Sequence, residues 1–122
     1  MISKNHALMI EAIFKLRAWC RQHLPIENSL IAYDLILLLS IHQYSNGHIT
    51  VKQLFASIPH SYTAVRIHYQ RFLDEGWIEH YSAASDKRIK YVRPTQKFIE
   101  IINLYTEAAN DIFTIEGLDS NQ

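Results

Sequence analysis

The chain has 122 residues, 48% of them hydrophobic, and its 12 Lys and Arg balance 12 Asp and Glu for a formal net charge of +0. That length and apolar content suit one ordinary globular domain with a real core and exclude a compositionally disordered segment. Three Gly and three Pro leave little room for long loops, and the single Cys20 admits no internal disulfide. No apolar run nears the ~18 residues of a membrane span. The N-terminal Met1-Ile2-Ser3-Lys4-Asn5-His6 lacks a secretory h-region, so a cytoplasmic protein with no membrane partner is expected.

Ala7 to about His23 contains neither Gly nor Pro and carries Leu8, Ala12, Trp19 and Cys20, with Ile10, Ile13, Phe14 and Leu16 widening the apolar surface. This predicts a helix, which Pro25 ends. Asn28 or Ser29 can cap a second helix, Leu30–Tyr44, apolar almost all round through Leu35, Ile36, Leu37, Leu38, Leu39 and Ile41. Such a helix is expected to be the central, buried one. Ser45-Asn46-Gly47 marks its end, and His48-Ile49 is expected to pair, as a very short strand, with a later hairpin.

Thr50-Val51-Lys52-Gln53 has capping-box spacing, and the helix it opens places Val51, Leu54, Phe55 and Ile58 on one face before Pro59. Ser61 caps the next helix, which runs to about Glu75 before Gly76. Its inward face is read as Tyr62, Val65, Tyr69, Phe72 and Leu73, and its outward one as Thr63, Arg66, Ile67 and Gln70. Trp77–Tyr81 and Ile89–Arg93 alternate as strands do, joined by the polar Ser82–Arg88. Pro94-Thr95 opens a last helix through Phe98, Ile101, Ile102, Tyr105, Ala109 and Ile112, and the tail from Gly117 is expected to fray.

Charge is segregated along this order. Thr50–Lys97 holds Lys52, Arg66, Arg71, Lys87, Arg88, Lys90, Arg93 and Lys97 against Asp74, Glu75, Glu79 and Asp86, a local +4 that the remainder cancels. Phosphate binding needs such local potential, whatever the total. A helix, a turn, a second helix and a basic hairpin is also the order in which a winged helix-turn-helix meets duplex DNA. The fold expected is therefore mainly α with a small β-hairpin wing, a winged helix-turn-helix with long first and last helices for dimerisation. Residues 1–122 are read as a single domain: 1–45 as N-terminal helices, part of them for dimerisation, 48–93 as the DNA-binding core, and 94–116 as a C-terminal dimerisation helix.

Within that core the candidate DNA-binding residues are Lys52, Ser61, Thr63, Arg66, Gln70, Asp86, Lys87, Arg88 and Lys90. Arg66 can read guanine bidentately and Gln70 adenine, while Ser61 and Thr63 suit phosphates or bases. Lys52 lies in the first turn of its helix, where free N–H groups also favour phosphate. Lys87, Arg88 and Lys90 sit at the hairpin tip, within reach of an adjacent minor groove.

Ile49 through Tyr105 resembles the DNA-binding core of the MarR family of bacterial winged-helix regulators. The resemblance rests on Thr63-Ala64-Val65-Arg66, on Arg71-Phe72-Leu73-Asp74-Glu75-Gly76-Trp77-Ile78, on the wing-tip Asp86-Lys87-Arg88, and on Thr95-Gln96-Lys97 at the start of the last helix. It implies that Arg88 inserts into the minor groove, that Asp86 orients it, and that the first and last helices form a dimer interface. His80 stands where the family usually has Arg, Pro94 replaces a Leu, and Phe98 occupies a common Gly position. The chain is also read as omitting the family's final helix.

Wide apolar faces on both terminal helices independently point to a two-fold homodimer. Cys20, among Leu16, Ala18 and Trp19, reads as a small buried hydrophobe rather than a redox sensor. The seven histidines form no close helical pair, so no metal site is expected, although His60 and His68 flank the recognition helix and leave room for pH dependence. No catalytic motif is present, and neither enzyme activity nor a cofactor is expected. The function read is a sequence-specific, double-stranded-DNA-binding transcriptional regulator. The alternative is a winged-helix protein–protein interaction module within a larger complex, without direct DNA binding. The resemblance implies that a small-molecule effector, if there is one, lies in a pocket between the terminal helices and the core, which Trp19, Tyr33 and Tyr44 could line; each also reads as plain core.

Overall fold

Each of the five helices among the described residues begins after a serine or threonine whose hydroxyl oxygen takes over an orphaned backbone N–H. Ser3 accepts from His6 at 3.2 Å, Ser29 from Ala32 at 3.3 Å, Thr50 from Gln53 at 3.0 Å, Ser61 from Ala64 at 3.3 Å and Thr95 from Phe98 at 3.4 Å. Gln53 Oε1 also accepts from the Thr50 N–H at 3.0 Å, completing the capping box. The resulting order is α1 (Lys4–His23), α2 (Leu30–Tyr44), β1 (Ile49–Thr50), α3 (Val51–Ser57), α4 (Tyr62–Asp74), β2 (Ile78–Ser82), β3 (Lys90–Pro94) and α5 (Gln96–Ile115). The computed structural model describes residues 1–45 and 47–115, with only the backbone of the last. Asn46 of the expected turn and the tail expected to fray from Gly117 lie outside the described residues.

The chain divides into two compact units, Ile26–Glu100 and Met1–Pro25 with Ile101–Gln122. In the first, β1, β3 and β2 form an antiparallel sheet in that order. Ile49 faces Val92, while Ile78 faces Pro94, His80 faces Val92 and Tyr81 faces Tyr91. Period-two alternation then sends Ile78, Val92 and Pro94 into the core and leaves Glu79 and Arg93 exposed. Leu54, Val65 and Phe72 are fully enclosed and Ile58 nearly so; burying each contributes about 1.5–3 kcal/mol.

α2 is not buried all round. Ala32, Leu35, Ile36 and Leu39 are buried, at helical spacings i, i+3, i+4 and i+7, where α2 meets α4 and β3. On other faces Leu30, Ile41 and Tyr44 are open, Tyr44 to 91%, so Tyr44 is no core residue. Composition alone overstated its burial because one stripe suffices to pack a helix against two neighbours.

Two features fix the departure of the wing from α4. Gly76 adopts φ +79°, and its N–H reaches Leu73 O at 3.2 Å while Trp77 N–H reaches Phe72 O at 2.9 Å. This is a Schellman stop, which only glycine enters without strain. Lys97 then donates to Glu75 O at 2.8 Å with its ammonium 4.1 Å from the Trp77 ring centroid, placing a cation at the negative end of α4.

In the other unit, Trp19 of α1 stacks on Tyr105 of α5 with ring centroids 5.8 Å apart. Cys20 is buried, as expected; burial pushes its thiol up, against smaller opposing effects from its Tyr105 hydrogen bond and from Arg17 and Arg21. Among the described residues no helix is long and apolar enough to cross a membrane.

Candidate nucleic-acid interface

Of the eight cations between Thr50 and Lys97, three serve the fold. Lys97 caps α4, Arg71 pairs with Glu27 at 3.4 Å and Glu75 at 3.5 Å, and Arg93 donates to Glu79 at 2.8 Å. The other five are Lys52, Arg66, Lys87, Arg88 and Lys90, all exposed and all expected at the site. Among the described residues Lys52, Arg66, Lys87 and Lys90 pair with no carboxylate. The cations without a structural duty are thus the ones that can meet phosphate.

All of the five but Lys87 line one of two hollows that share Tyr62. One, about 570 Å3, runs between the start of α3 and the wing and is lined by Thr50, Lys52, Phe55, Tyr62, Arg88 and Lys90, among others. The second, about 400 Å3, lies on the outer face of α4 along Tyr62, Thr63, Arg66, Ile67 and Gln70. Together they bring Lys52, Thr63, Arg66, Gln70, Arg88 and Lys90 onto a continuous surface. Lys90 is the first residue of β3 rather than part of the tip.

Asp86 holds Arg88 on three bonds. The carboxylate accepts from the Arg88 backbone N–H at 3.0 Å, from Nε at 3.1 Å and from a terminal nitrogen at 3.2 Å. The side-chain bonds first, and then the backbone one, hold the Asp86 carboxyl below the usual carboxylate range. The Arg88 side chain nevertheless stays 91% exposed: it is aimed by the carboxylate, not covered. Lys87 stands beside it, its carbonyl accepting from Ser82 Oγ at 3.5 Å.

Ser61 acts first as the N-cap of α4, and its hydroxyl keeps its proton and one lone pair for a further partner. Thr63 and Arg66 project freely outward. Gln70 donates one amide proton to Asp74 at 3.0 Å, leaving its second N–H and its oxygen for a base edge. Asp74 thus holds the Gln70 amide, a contact that spacing did not single out, although its i, i+4 relation to Gln70 was in plain view. Tyr62 was assigned inward, yet it is 66% exposed and meets Phe55 only along one side, at 5.1 Å between centroids. As the first residue of α4 it precedes the turn on which the inward stripe is set. Ile67, 67% exposed at the centre of the reading face, was placed outward but not counted as functional.

Histidines bind the elements of this unit to one another. His60 Nε2 meets Asp34 at 2.9 Å, His68 meets Ser29 at 3.1 Å, and Tyr69 Oη meets His80 Nε2 at 2.6 Å. Burial first, then Lys90, lowers the His80 pKa, and burial raises that of Tyr69. Among the described residues no three His, Cys, Asp or Glu side chains are grouped to hold a metal ion.

These elements, in this order and with this sheet, define a winged helix-turn-helix protein. No protein-family model and no curated protein matches the sequence. Solved structures do match. A mutant of S. aureus MepR bound to an oligodeoxyribonucleotide superposes with a TM-score of 0.75 at 14% identity, covering 100% of this chain and 87% of that one. S. aureus MepR bound to ethidium bromide gives 0.71 at 14% identity over 99% and 85%. A MarR-like transcription regulator from Bacillus cereus gives 0.59 at 15% identity over 95% and 78%. The chain has the winged-helix fold of the MarR-like transcription regulators.

Proposed function

We propose that this protein is a sequence-specific, double-stranded-DNA-binding transcriptional regulator that acts as a homodimer, with α4 in the major groove and the β2–β3 wing in the minor groove. The observation that carries this reading is the sorting of cations. Those with partners brace the fold, while Lys52, Arg66 and Lys90 line a surface continuous with the Asp86-aimed Arg88. Arg66 and Gln70 present base-reading groups, Thr63 and Ser61 hydroxyls, and Lys52, Lys87 and Lys90 phosphate-binding charge. That MepR shares the fold and has been captured with an oligodeoxyribonucleotide and with ethidium bromide supports extending the reading to an effector-responsive regulator.

Binding to duplex DNA across a salt series, followed by fluorescence anisotropy, is the test. Affinity should fall linearly in log salt, and Arg88→Ala should reduce the slope by about one per wing while leaving the fold intact. An unchanged slope in that variant rules out the wing assignment. Absence of binding at low salt rules out the regulator and leaves the same surface as a protein-contact face.

A further inference from the structure

The reading face of α4 is more apolar than its charge suggests. Ile67 lies at its centre, 67% exposed, with Thr63 one turn before it and Gln70 nearly one turn after. Tyr62, 66% exposed, lines the same hollow beside Arg66. Neither side chain is needed by the core, which α4 supplies through Val65, Tyr69 and Phe72. An isoleucine held in water at the middle of a basic, hydrogen-bonding face is matched only by an apolar group on the ligand. In the major groove of DNA each base edge offers donors or acceptors, and the one apolar group is the C5-methyl of thymine.

Resting on the DNA-binding reading above, we propose that Ile67 is a specificity-determining residue that packs on a thymine methyl, with Tyr62 closing the hollow behind it. Arg66 is its sequence neighbour and pairs with no carboxylate among the described residues, which leaves its guanidinium to read guanine O6 and N7. The bound half-site therefore holds a thymine beside a guanine at the point where the middle of α4 meets the groove. Charge complementarity argues for DNA over an apolar protein partner: Lys52, Arg66, Arg88 and Lys90 line the same two hollows.

The test uses the full chain and a duplex selected from a random pool at low salt. Each thymine of that duplex is replaced in turn by deoxyuridine, which deletes the methyl and leaves every hydrogen-bonding edge unchanged. At one position per half-site, loss of the methyl should weaken binding by about fourfold, the worth of one buried methyl-sized group. Ile67→Ala should bring the thymine-to-uracil ratio at that position close to one. The substitution lies on a solvent-exposed helix face and introduces a stronger helix former, so the fold should persist, as circular dichroism would check. If every deoxyuridine duplex binds as the parent does, or if selection yields no preferred sequence, the methyl reading is wrong while DNA binding stands. If no duplex is bound at low salt, the DNA-binding reading falls and takes this one with it, and the apolar face is left to a protein partner.

Discussion

At the scale of single residues, Thr95 does more than its position at a helix start requires. Its single hydroxyl proton points at Gly76 O at 2.7 Å, with Trp77 O also within reach at 3.1 Å, and its oxygen accepts from Phe98 N–H at 3.4 Å, while its own N–H reaches Trp77 O at 3.0 Å. One side chain therefore caps α5 and pins it to the turn leaving α4. Thr95→Val keeps the shape and removes the hydroxyl, leaving the Phe98 N–H without its cap and Gly76 O without its donor. The expected loss is about 1–2 kcal/mol, read as a lower urea midpoint with an unchanged slope. A midpoint equal to wild type would mean that water replaces these bonds without penalty. The Asp86 and Arg88 bonds differ in kind, since they aim an exposed group outward and contribute little to stability.

At the scale of elements, the contact between α2 and α4 carries a pH dependence whose sign can be worked out. Arg71 can only donate, so its contact to His68 Nδ1 at 3.3 Å places the ring proton on Nε2, which donates to Ser29 Oγ at 3.1 Å. Protonating Nδ1 would set a cation against that guanidinium. Burial first, and then Arg71, lowers the His68 pKa, with Glu27 opposing. The unfolded chain then binds more protons than the folded one between the folded value and about 6.5. The contribution is fully present above about 6.5 and is lost as the pH falls below it. Stability should therefore drop as the pH falls below about 6.5, and His68→Gln should flatten that drop; an equal slope in both proteins would remove His68 as its cause. The sequence revealed the elements themselves well, because caps are local. Ser29, Thr50, Ser61 and Gly76 mark starts and stops within one or two residues of where they fall. The histidine contacts were illegible because Ser29 and His68 are 39 residues apart and no periodicity links them. The candidate site was legible as charge and facing, and its five expected cations are the ones that do not brace the fold; what the sequence hid was which partners hold Arg71, Arg93 and Lys97. Those partners depend on which carboxylates and carbonyls the fold brings near.

At the scale of the whole molecule, the proposed homodimer needs a face for its second copy, and α1 carries an exposed apolar one. Met9, Ile10, Ile13 and Phe14 are 39%, 57%, 45% and 67% exposed. Their spacing, i, i+1, i+4 and i+5, gathers them on one side of the helix, and Leu104 of α5 is 53% exposed in the same unit. A contiguous apolar stripe of this kind marks an interaction face rather than scattered exposed side chains. Wild-type protein should sediment as a dimer, and Ile10→Glu with Phe14→Glu should yield a folded monomer, because two carboxylates per copy would be buried without partners in an apolar interface. Loss of the dimer should also be felt at the operator. When two half-sites are engaged together the second contact is intramolecular, so the monomeric variant should bind a two-half-site duplex at least ~100-fold more weakly while keeping its affinity for a single half-site. A variant that still sediments as a dimer would move the interface elsewhere on the chain. A monomeric wild type would leave one recognition helix per molecule, and specificity would then rest on α4 and its wing alone.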